Sequence, residues 1–520
     1  MPTLHEPARY TDIVLAALRR FPDRVAFRED GREVTYARIA DLLARWIAVL
    51  RRSGLQRGEG VGVLSPNRHE VWLGQTAAPF AGGRFTALHP LGSLDDHRYA
   101  CDEAELRVLI VDPIYAERAG ALADKCASVE TVLTLGPAAI GEDVIALADS
   151  VTPAALDAGP HGPEDITWLL YTGGTTGIPK AAMLPERALA QMVYSVLSGW
   201  DLPREKRYLA SAPISHAAGM LITPVLLSGG TVVLHRSFDP ARWLATVAAE
   251  RITLSLLVPT MIYAVLDHAD LERTDLRSLE TIMYGASPIS PTRLAEGIRR
   301  IGPVFCQLYG QTESTGVGTA LWRAQHLIDD LHRLTSCGMP IPGARVAVLD
   351  DEAQPVADGT PGEICVQGAS VMQGYWKQPD LTAAALQDGW LRTGDMAIRD
   401  EQGLFFIVDR KKEMIVSGGF NVFPREIEDV LSTHPAVSVA AVIGVPDDKW
   451  GEAVKALVVA KPGVPVDAAE LIALVRDRKG PVYAPKSLEL VDTLPITPVG
   501  KLDKKVLRER YWAGRARRVN

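Results

Sequence analysis

Five short stretches carry residue types and spacings that could do chemistry. Residues 171–180, Tyr-Thr-Gly-Gly-Thr-Thr-Gly-Ile-Pro-Lys, hold three glycines and three threonines between Tyr171 and Lys180. Glycine lets backbone approach a ligand closely, and consecutive N–H groups in such a loop form a concave anion site. Lys180 adds a positive charge, so phosphate is the natural guest. The spacing is not that of a Walker A loop, which requires four residues between two glycines and then Lys-Ser/Thr. In residues 309–314, Tyr-Gly-Gln-Thr-Glu-Ser, an aromatic, a hydroxyl and a carboxylate fall within five positions. Tyr309 could stack on a base, Thr312 bond a phosphate oxygen and Glu313 hold Mg²⁺. In Trp390–Asp395, Asp395 could accept both hydroxyls of a ribose, as acidic residues do in dinucleotide folds. Residues 409–422 set the charges of Asp-Arg-Lys-Lys-Glu beside Ser417-Gly418-Gly419, which suits a pivot that also touches ligand. In Pro495–Leu502, Lys501 follows a Pro-bounded loop that would present its ammonium at a fixed point. Each stretch alone also reads as ordinary structure: a Gly/Thr surface turn, a polar loop, a solvated charged turn, a solvent-facing lysine.

The elements that must position these stretches follow from periodicity. Ile39, Leu42, Leu43, Trp46, Ile47 and Leu50 recur at helical spacing over residues 35–50. Strand-like runs at 61–64, 84–88, 107–111 and 131–135, with a helix over 70–81, predict a parallel sheet packed by helices. The βα alternation returns across 208–309, with runs at 208–212, 254–258, 281–284 and 304–308. The last run places Tyr309 at a strand's C-terminal end, where α/β sheets bind ligands. Asp165–Tyr171 reads as a buried strand delivering the glycine loop. Beyond residue ~335 the pattern changes. Short strands at 344–350, 363–367 and 403–408 predict a β subdomain. Helices at 424–434 and 467–478, with strands at 438–443, 454–460 and 487–491, predict a small α+β domain of ~110 residues. The boundary falls at a short charged joint near Asp409–Glu413, giving domains of 1–409 and 410–520.

Composition bounds the class. The chain has 520 residues, too many for one core, with 47% hydrophobic and 23% charged residues. A net charge of −8 argues against a broad nucleic-acid footprint. The longest apolar runs, such as 436–445, are too short to span a bilayer, so no integral membrane segment is expected. The start, Met-Pro-Thr-Leu-His-Glu, lacks the features of a secretory signal. Five scattered cysteines without a CxxC pair suit a reducing, cytoplasmic setting. Oligomeric state is open, a homodimer included.

The five stretches, in this order, resemble the adenylate-forming acyl-CoA synthetases, whose superfamily includes luciferases and peptide-synthetase adenylation domains. The likeness runs from Thr35-Tyr36 to Arg508. It implies a large N-terminal α/β domain with a β subdomain, a small mobile C-terminal domain, and a carboxylic acid–CoA ligase using ATP, Mg²⁺ and coenzyme A. The acid is activated as acyl-AMP and then transferred to the CoA thiol. By the resemblance, Thr172, Gly173, Gly174, Thr175, Thr176, Gly177 and Lys180 wrap the β- and γ-phosphates. Gly285, Ala286, Ser287 and Tyr309 frame the adenine, Thr312 touches the α-phosphate and Glu313 the magnesium. Asp395 and Arg410 hold the ribose, Lys412 is the hinge, and Lys501 is the catalytic lysine of adenylation. His216 lines the acyl and thiol path, Gly418 and Gly419 line the pantetheine channel, and Trp450 meets the CoA adenine.

Three positions depart from the family pattern: Gly173 where serine is common, Ala181 where glycine is frequent, and Ala484 where a basic residue often precedes Pro-Lys. The last puts the CoA phosphate contact in question, with Lys486 or the basic tail as substitutes. Residues beside the motifs (Ile214, His216, Met220, Tyr284, Gly285, Gly310, Ser314 and Val317) outline a mostly apolar pocket without arginine. It suits a small-molecule medium-chain or aromatic acid. The alternative acceptor is a carrier-protein thiol. A non-catalytic ATP sensor is disfavoured by the joint presence of Lys501 and Glu313.

Overall fold

The computed structural model describes residues 7–172, 179–411, 413–417, 420–447, 450–461, 463–496 and 502–513. Two large sheets dominate. An eight-stranded sheet runs in the order 374–375, 180–185, 166–172, 84–88, 60–64, 106–111, 131–134, 142–143. A nine-stranded sheet runs 339–340, 319–321, 305–309, 281–285, 254–257, 207–210, 231–234, 25–29, 32–35. Their central strands are parallel and buried on both faces: every residue of Gly60–Leu64 and of Leu254–Leu257 is buried. Such strands read as unbroken apolar runs because helices cover both sides.

Helices Tyr36–Arg52 and His69–Ala81 share one core with both sheets, in which Trp46, Trp72, Phe27, Phe85 and Tyr208 are all but fully buried. The first of these helices begins at Thr35, whose hydroxyl accepts from the Arg38 N–H at 3.2 Å, and ends on Arg51 and Arg52, which complement the helix dipole. The outer face of the nine-stranded sheet packs against helices Pro240–Glu250, Pro259–Leu266 and Pro291–Ile301. The outer face of the eight-stranded sheet packs on Leu94–Glu103 and Ala116–Lys125. Alternation along a strand divides these layers: Met283 faces the shared core, while Ile282 and Tyr284 face the outer helices.

The large sheets are mixed rather than purely parallel. Strands Ile166–Thr172 and Lys180–Pro185 form an antiparallel pair with Thr172 opposite Lys180, so the glycine loop links two strands of a hairpin. Phe305–Tyr309 likewise pairs antiparallel with Thr319–Leu321. Repeated βα units mark only the parallel strands, and the hairpin partners here are short and follow motif loops.

Residues 345–410 form a five-stranded antiparallel sheet, with Trp390–Arg399 pairing both Gly362–Gln367 and Phe405–Arg410. A second five-stranded sheet follows, built on strands Val437–Asp447 and Gly451–Ala460 and packed by helices Pro424–Ser432 and Ala468–Lys479. Its core, centred on Ile427, Leu431, Val454 and Leu471, is separate from the others. Among the described residues no helix is long and apolar enough to cross a membrane.

Candidate active site

The strand ends bring the motifs together. Gly285 closes strand Thr281–Gly285 and pairs with Leu308 on the neighbouring strand. A Cβ at Gly285 would lie 2.4 Å from the Leu308 carbonyl oxygen, so a side chain there would push the strands apart. Ala286 follows with φ +64°, a left-handed conformation that turns the chain away from the sheet edge. Tyr309, at the end of strand Phe305–Tyr309, donates its hydroxyl to Asp395 Oδ2 at 2.9 Å. Gln311 Nε2 donates to the same oxygen at 2.9 Å and to the Thr393 carbonyl at 2.9 Å.

Asp395 sits where Trp390–Arg399 bulges against Gly362–Gln367, beside Gly394 at φ +73°. A bulge of this kind re-aims a side chain. Here it turns a buried carboxylate (5% exposed) toward the 309–311 loop. Asp395 Oδ1 faces Arg410 Nε at 3.2 Å from the adjacent strand. Four positions chosen separately from the sequence, Gly285, Tyr309, Asp395 and Arg410, thus form one neighbourhood. Gln311 joins them, although the sequence suggested no role for it.

Thr312 and Glu313 lie on the single 3-10 turn Thr312–Ser314. Glu313 is buried at 9% exposure, and its Oε1 accepts from the Tyr375 hydroxyl at 2.9 Å. Its other oxygen has no hydrogen-bond partner among the described residues, so the donor set suits one oxygen ligand to a hard cation such as Mg²⁺. Lys180 Nζ lies 5.1 Å from the centroid of the Tyr375 ring. Tyr375 was not singled out in the sequence, where it is one aromatic in a Gly-Tyr-Trp run.

His216 precedes the 3-10 segment Ala217–Leu221, is exposed, and shares a 2.9 Å hydrogen bond through Nδ1 with Ser215 Oγ. The ring of His89 packs edge-on to it, centroids 4.6 Å apart. His89 Nδ1 accepts from the Leu91 N–H at 3.1 Å, which places the proton of the neutral ring on Nε2, and burial lowers its pKa. Met220, on the same segment as His216, covers Gly316: a Cβ there would lie 2.3 Å from the Met220 methyl.

The pocket expected from the sequence differs at one residue. Tyr284 does not line it. Its ring is buried at 1% exposure among the outer helices, with its hydroxyl 2.8 Å from His326 Nε2. Strand alternation turns it to the opposite face from Met283. Ile214 and Val317 are buried in the shared core, on the side of Met220.

In the C-terminal unit, strand Ile415–Ser417 pairs Ser417 with Gly451, so exposed Trp450 adjoins the end of the strand that leads into residues 418–419. Lys486 Nζ lies 5.7 Å from the Trp450 ring centroid. Ala484 is buried at 3% exposure, so this position is spent on packing and Lys486 is the exposed cation nearby. At the joint, Asp409 accepts from the Arg425 N–H at 3.1 Å, at the start of helix Pro424–Ser432. Burial pushes its carboxyl up to about 6, opposed by the ammonium of Lys504. Lys504 Nζ itself lies 2.8 Å from Glu428 and 3.8 Å from Glu413. Gly173, Gly174, Thr175, Thr176, Gly177, Lys412, Gly418, Gly419 and Lys501 lie outside the described residues.

A cleft of about 790 Å³ opens elsewhere, among residues such as Arg24, Lys206 and Gly230 that precede the parallel strands. It lies at the opposite strand ends from Gly285 and Tyr309, and its lining mixes the cations Arg24, Arg28, Arg204, Lys206 and Arg207 with the acids Asp23, Glu205 and Glu280.

Comparison with known proteins agrees with this geometry. The AMP-binding enzyme family matches residues 14–376, and the AMP-binding enzyme C-terminal domain matches residues 426–501. The chain is 45% identical to the medium/long-chain-fatty-acid–CoA ligase FadD8 of Mycobacterium tuberculosis, over 99% of this chain and 92% of that one. It is 40% identical to a feruloyl-CoA synthase of Amycolatopsis sp, over 95% of this chain and 97% of the other. The amide bond synthetase McbA from Marinactinospora thermotolerans superposes with a TM-score of 0.90 at 33% identity, covering 97% of this chain and all of that one. With both its large and small parts matched, the chain belongs to the adenylate-forming AMP-binding enzyme family.

Proposed function

We propose that this protein is an AMP-forming acid–CoA ligase that activates a medium-chain fatty or aromatic acid. The observation that carries the reading is the joining of Tyr309, Asp395 and Arg410 by hydrogen bond and ion pair, with Glu313 on the following turn. That cluster offers an aromatic wall, a ribose-binding carboxylate and a metal ligand within one set of strand ends. Relatives named for fatty-acid and feruloyl substrates support the acid class. So does apolar Met220, packed beside Ile214 and Val317 of the shared core.

A carboxylate is a poor electrophile at neutral pH. In the first half-reaction its oxygen attacks the ATP α-phosphorus, and the bond to the pyrophosphate leaving group breaks. Glu313 would hold Mg²⁺, which supplies charge neutralisation for the phosphates when bound. Lys180, Thr312 and the amides of residues 172–177 would bind the phosphate oxygens, and Lys501 would meet the charge that develops in the transition state. In the second half-reaction the CoA sulfur attacks the acyl carbon and AMP leaves. Domains bounded at 409/410 and turning about Lys412 would exchange Lys501 for the Gly418-Gly419 channel, with Trp450 receiving the CoA adenine.

The carrier-thiol alternative gains from one observation: buried Ala484 offers no charge for the CoA phosphate. The test is pyrophosphate release across aliphatic, aryl and cinnamic-type acids, followed by thioester formation with CoA or a holo-carrier. Acid-dependent pyrophosphate release with CoA thioester supports the reading. Thioester on the carrier alone overturns the acceptor, and no acid-dependent release overturns the whole.

A further inference from the structure

We propose that Tyr375 is a positioning residue for adenylation, joining the phosphate-side Lys180 to the metal-side Glu313 through the two ends of one side chain. The inference deepens the ligase reading and rests on Glu313 as the metal ligand.

The backbone holds Tyr375 between the two. Short strand Gly374–Tyr375 pairs with Lys180–Pro185, placing Gly374 opposite Met183 and Tyr375 opposite Ala182. The Trp376 N–H donates to the Ala181 carbonyl at 2.9 Å and the Gln373 N–H to Met183 at 2.9 Å. On the other side the Met372 N–H donates to the carbonyl of Glu313 itself at 2.8 Å. Residues 372–376 therefore tie the strand leaving the glycine loop to the turn that carries Glu313. Gly374 permits this: it adopts φ +151°, and a Cβ would lie 2.5 Å from the Thr382 methyl. The Thr382 hydroxyl in turn accepts from the Tyr375 N–H at 2.8 Å.

The side chain repeats the link. The phenol hydroxyl donates to the carboxylate, 2.9 Å to Glu313 Oε1. A hydrogen bond to one carboxylate oxygen orients the group and leaves Oε2 as the oxygen presented to a cation. The ring face lies 5.1 Å from Lys180 Nζ, within cation–π reach. A lysine on a flexible stem gains a platform that limits where its ammonium can go. Tyr375 thus sets two charges of opposite sign, one for metal and one for phosphate.

Two substitutions separate the two ends. Tyr375→Phe keeps the ring and removes the hydroxyl, whereas Tyr375→Leu removes both. Binding is read without turnover, using Mn²⁺ by electron paramagnetic resonance with a non-cleavable α,β-methylene ATP analogue, and the metal-free analogue by calorimetry. Tyr375→Phe should weaken Mn²⁺ in the ternary complex about tenfold, the scale of one charge-assisted hydrogen bond, and leave metal-free analogue affinity within about twofold. Tyr375→Leu should weaken both. Mn²⁺ binding by Tyr375→Phe equal to wild type overturns the proposal, as does equal metal-free affinity in the Leu variant. Glu313→Gln separates this from the parent reading: if it binds Mn²⁺ as wild type does, the metal-ligand assignment fails, whereas a loss there with none in Tyr375→Phe sinks only the role of Tyr375.

Discussion

Replacing Asp395 by asparagine tests the centre of the site while keeping its shape. In the structure Oδ2 accepts from Tyr309 and Gln311, both at 2.9 Å, and Oδ1 faces Arg410 at 3.2 Å. Asparagine keeps one acceptor oxygen but turns an NH₂ toward Arg410 or toward the two buried donors. The Arg410 side chain is 42% exposed and can relax into water, so that contact costs less than about 1 kcal/mol. On the buried side two bonds to a charged oxygen become bonds to a neutral one, and together these losses are about 2 kcal/mol of stability. Toward nucleotide the consequence is separate. A ribose diol bonded by an amide instead of a carboxylate loses about 1.5–3 kcal/mol, which is about 10–150-fold in ATP affinity. The assay is initial-rate pyrophosphate release against ATP at saturating acid, alongside thermal melting. The expected result is a raised ATP KM, an unchanged acid KM and a lower Tm. An ATP KM within about twofold of wild type in a folded variant would refute the ribose assignment, because the buried carboxylate would then serve only Tyr309 and Gln311.

Four further outcomes are expected. Lys501→Ala should slow acyl-AMP formation by about 10²–10³ while sparing thioester formation from supplied acyl-AMP, and Lys412→Pro should adenylate but fail in transfer; single-turnover rates for each half-reaction check both, and equal losses in the two halves would remove the assignments. Met220→Ala clears the side chain that covers Gly316, and should shift kcat/KM toward longer or bulkier acids by about tenfold relative to short ones; an unchanged acid profile would place the pocket elsewhere. His326, buried with Nδ1–H donating to the Trp322 carbonyl and Nε2 accepting from Tyr284, has its pKa lowered by burial to about 4. Its neutral form stabilises the fold above pH 6.5, and about 3 kcal/mol of that is lost as pH falls from 6.5 toward 4. His326→Asn should therefore flatten the acid limb of a pH–Tm curve, and parallel limbs would show that the histidine does not set it.

Local chemistry was readable wherever one residue type answers to one physical demand. The helix over Tyr36–Arg52 and the strands at 60–64, 84–88 and 254–257 follow from apolar spacing, because period and burial are properties of neighbouring residues. The motif stretches were legible for the same reason: glycines, a carboxylate and a lysine at fixed offsets each restrict what the backbone can bind. What no window of sequence contains is the meeting of segments far apart. Tyr309 finds Asp395 across 86 positions, and Glu313 finds Tyr375 across 62, only because a bulge at Gly394 and a two-residue strand at Gly374 aim those side chains. Tyr284 shows the reverse: it stands beside Gly285 in the chain, yet strand alternation sends it to the far face. The sequence by itself determined which residues carry the functional groups and short spacings that phosphate, metal and ribose binding would require. The tertiary structure alone decided which of them share a surface and which neighbours orient them, since sheet order, register and side-chain facing are set by the packing of the whole chain.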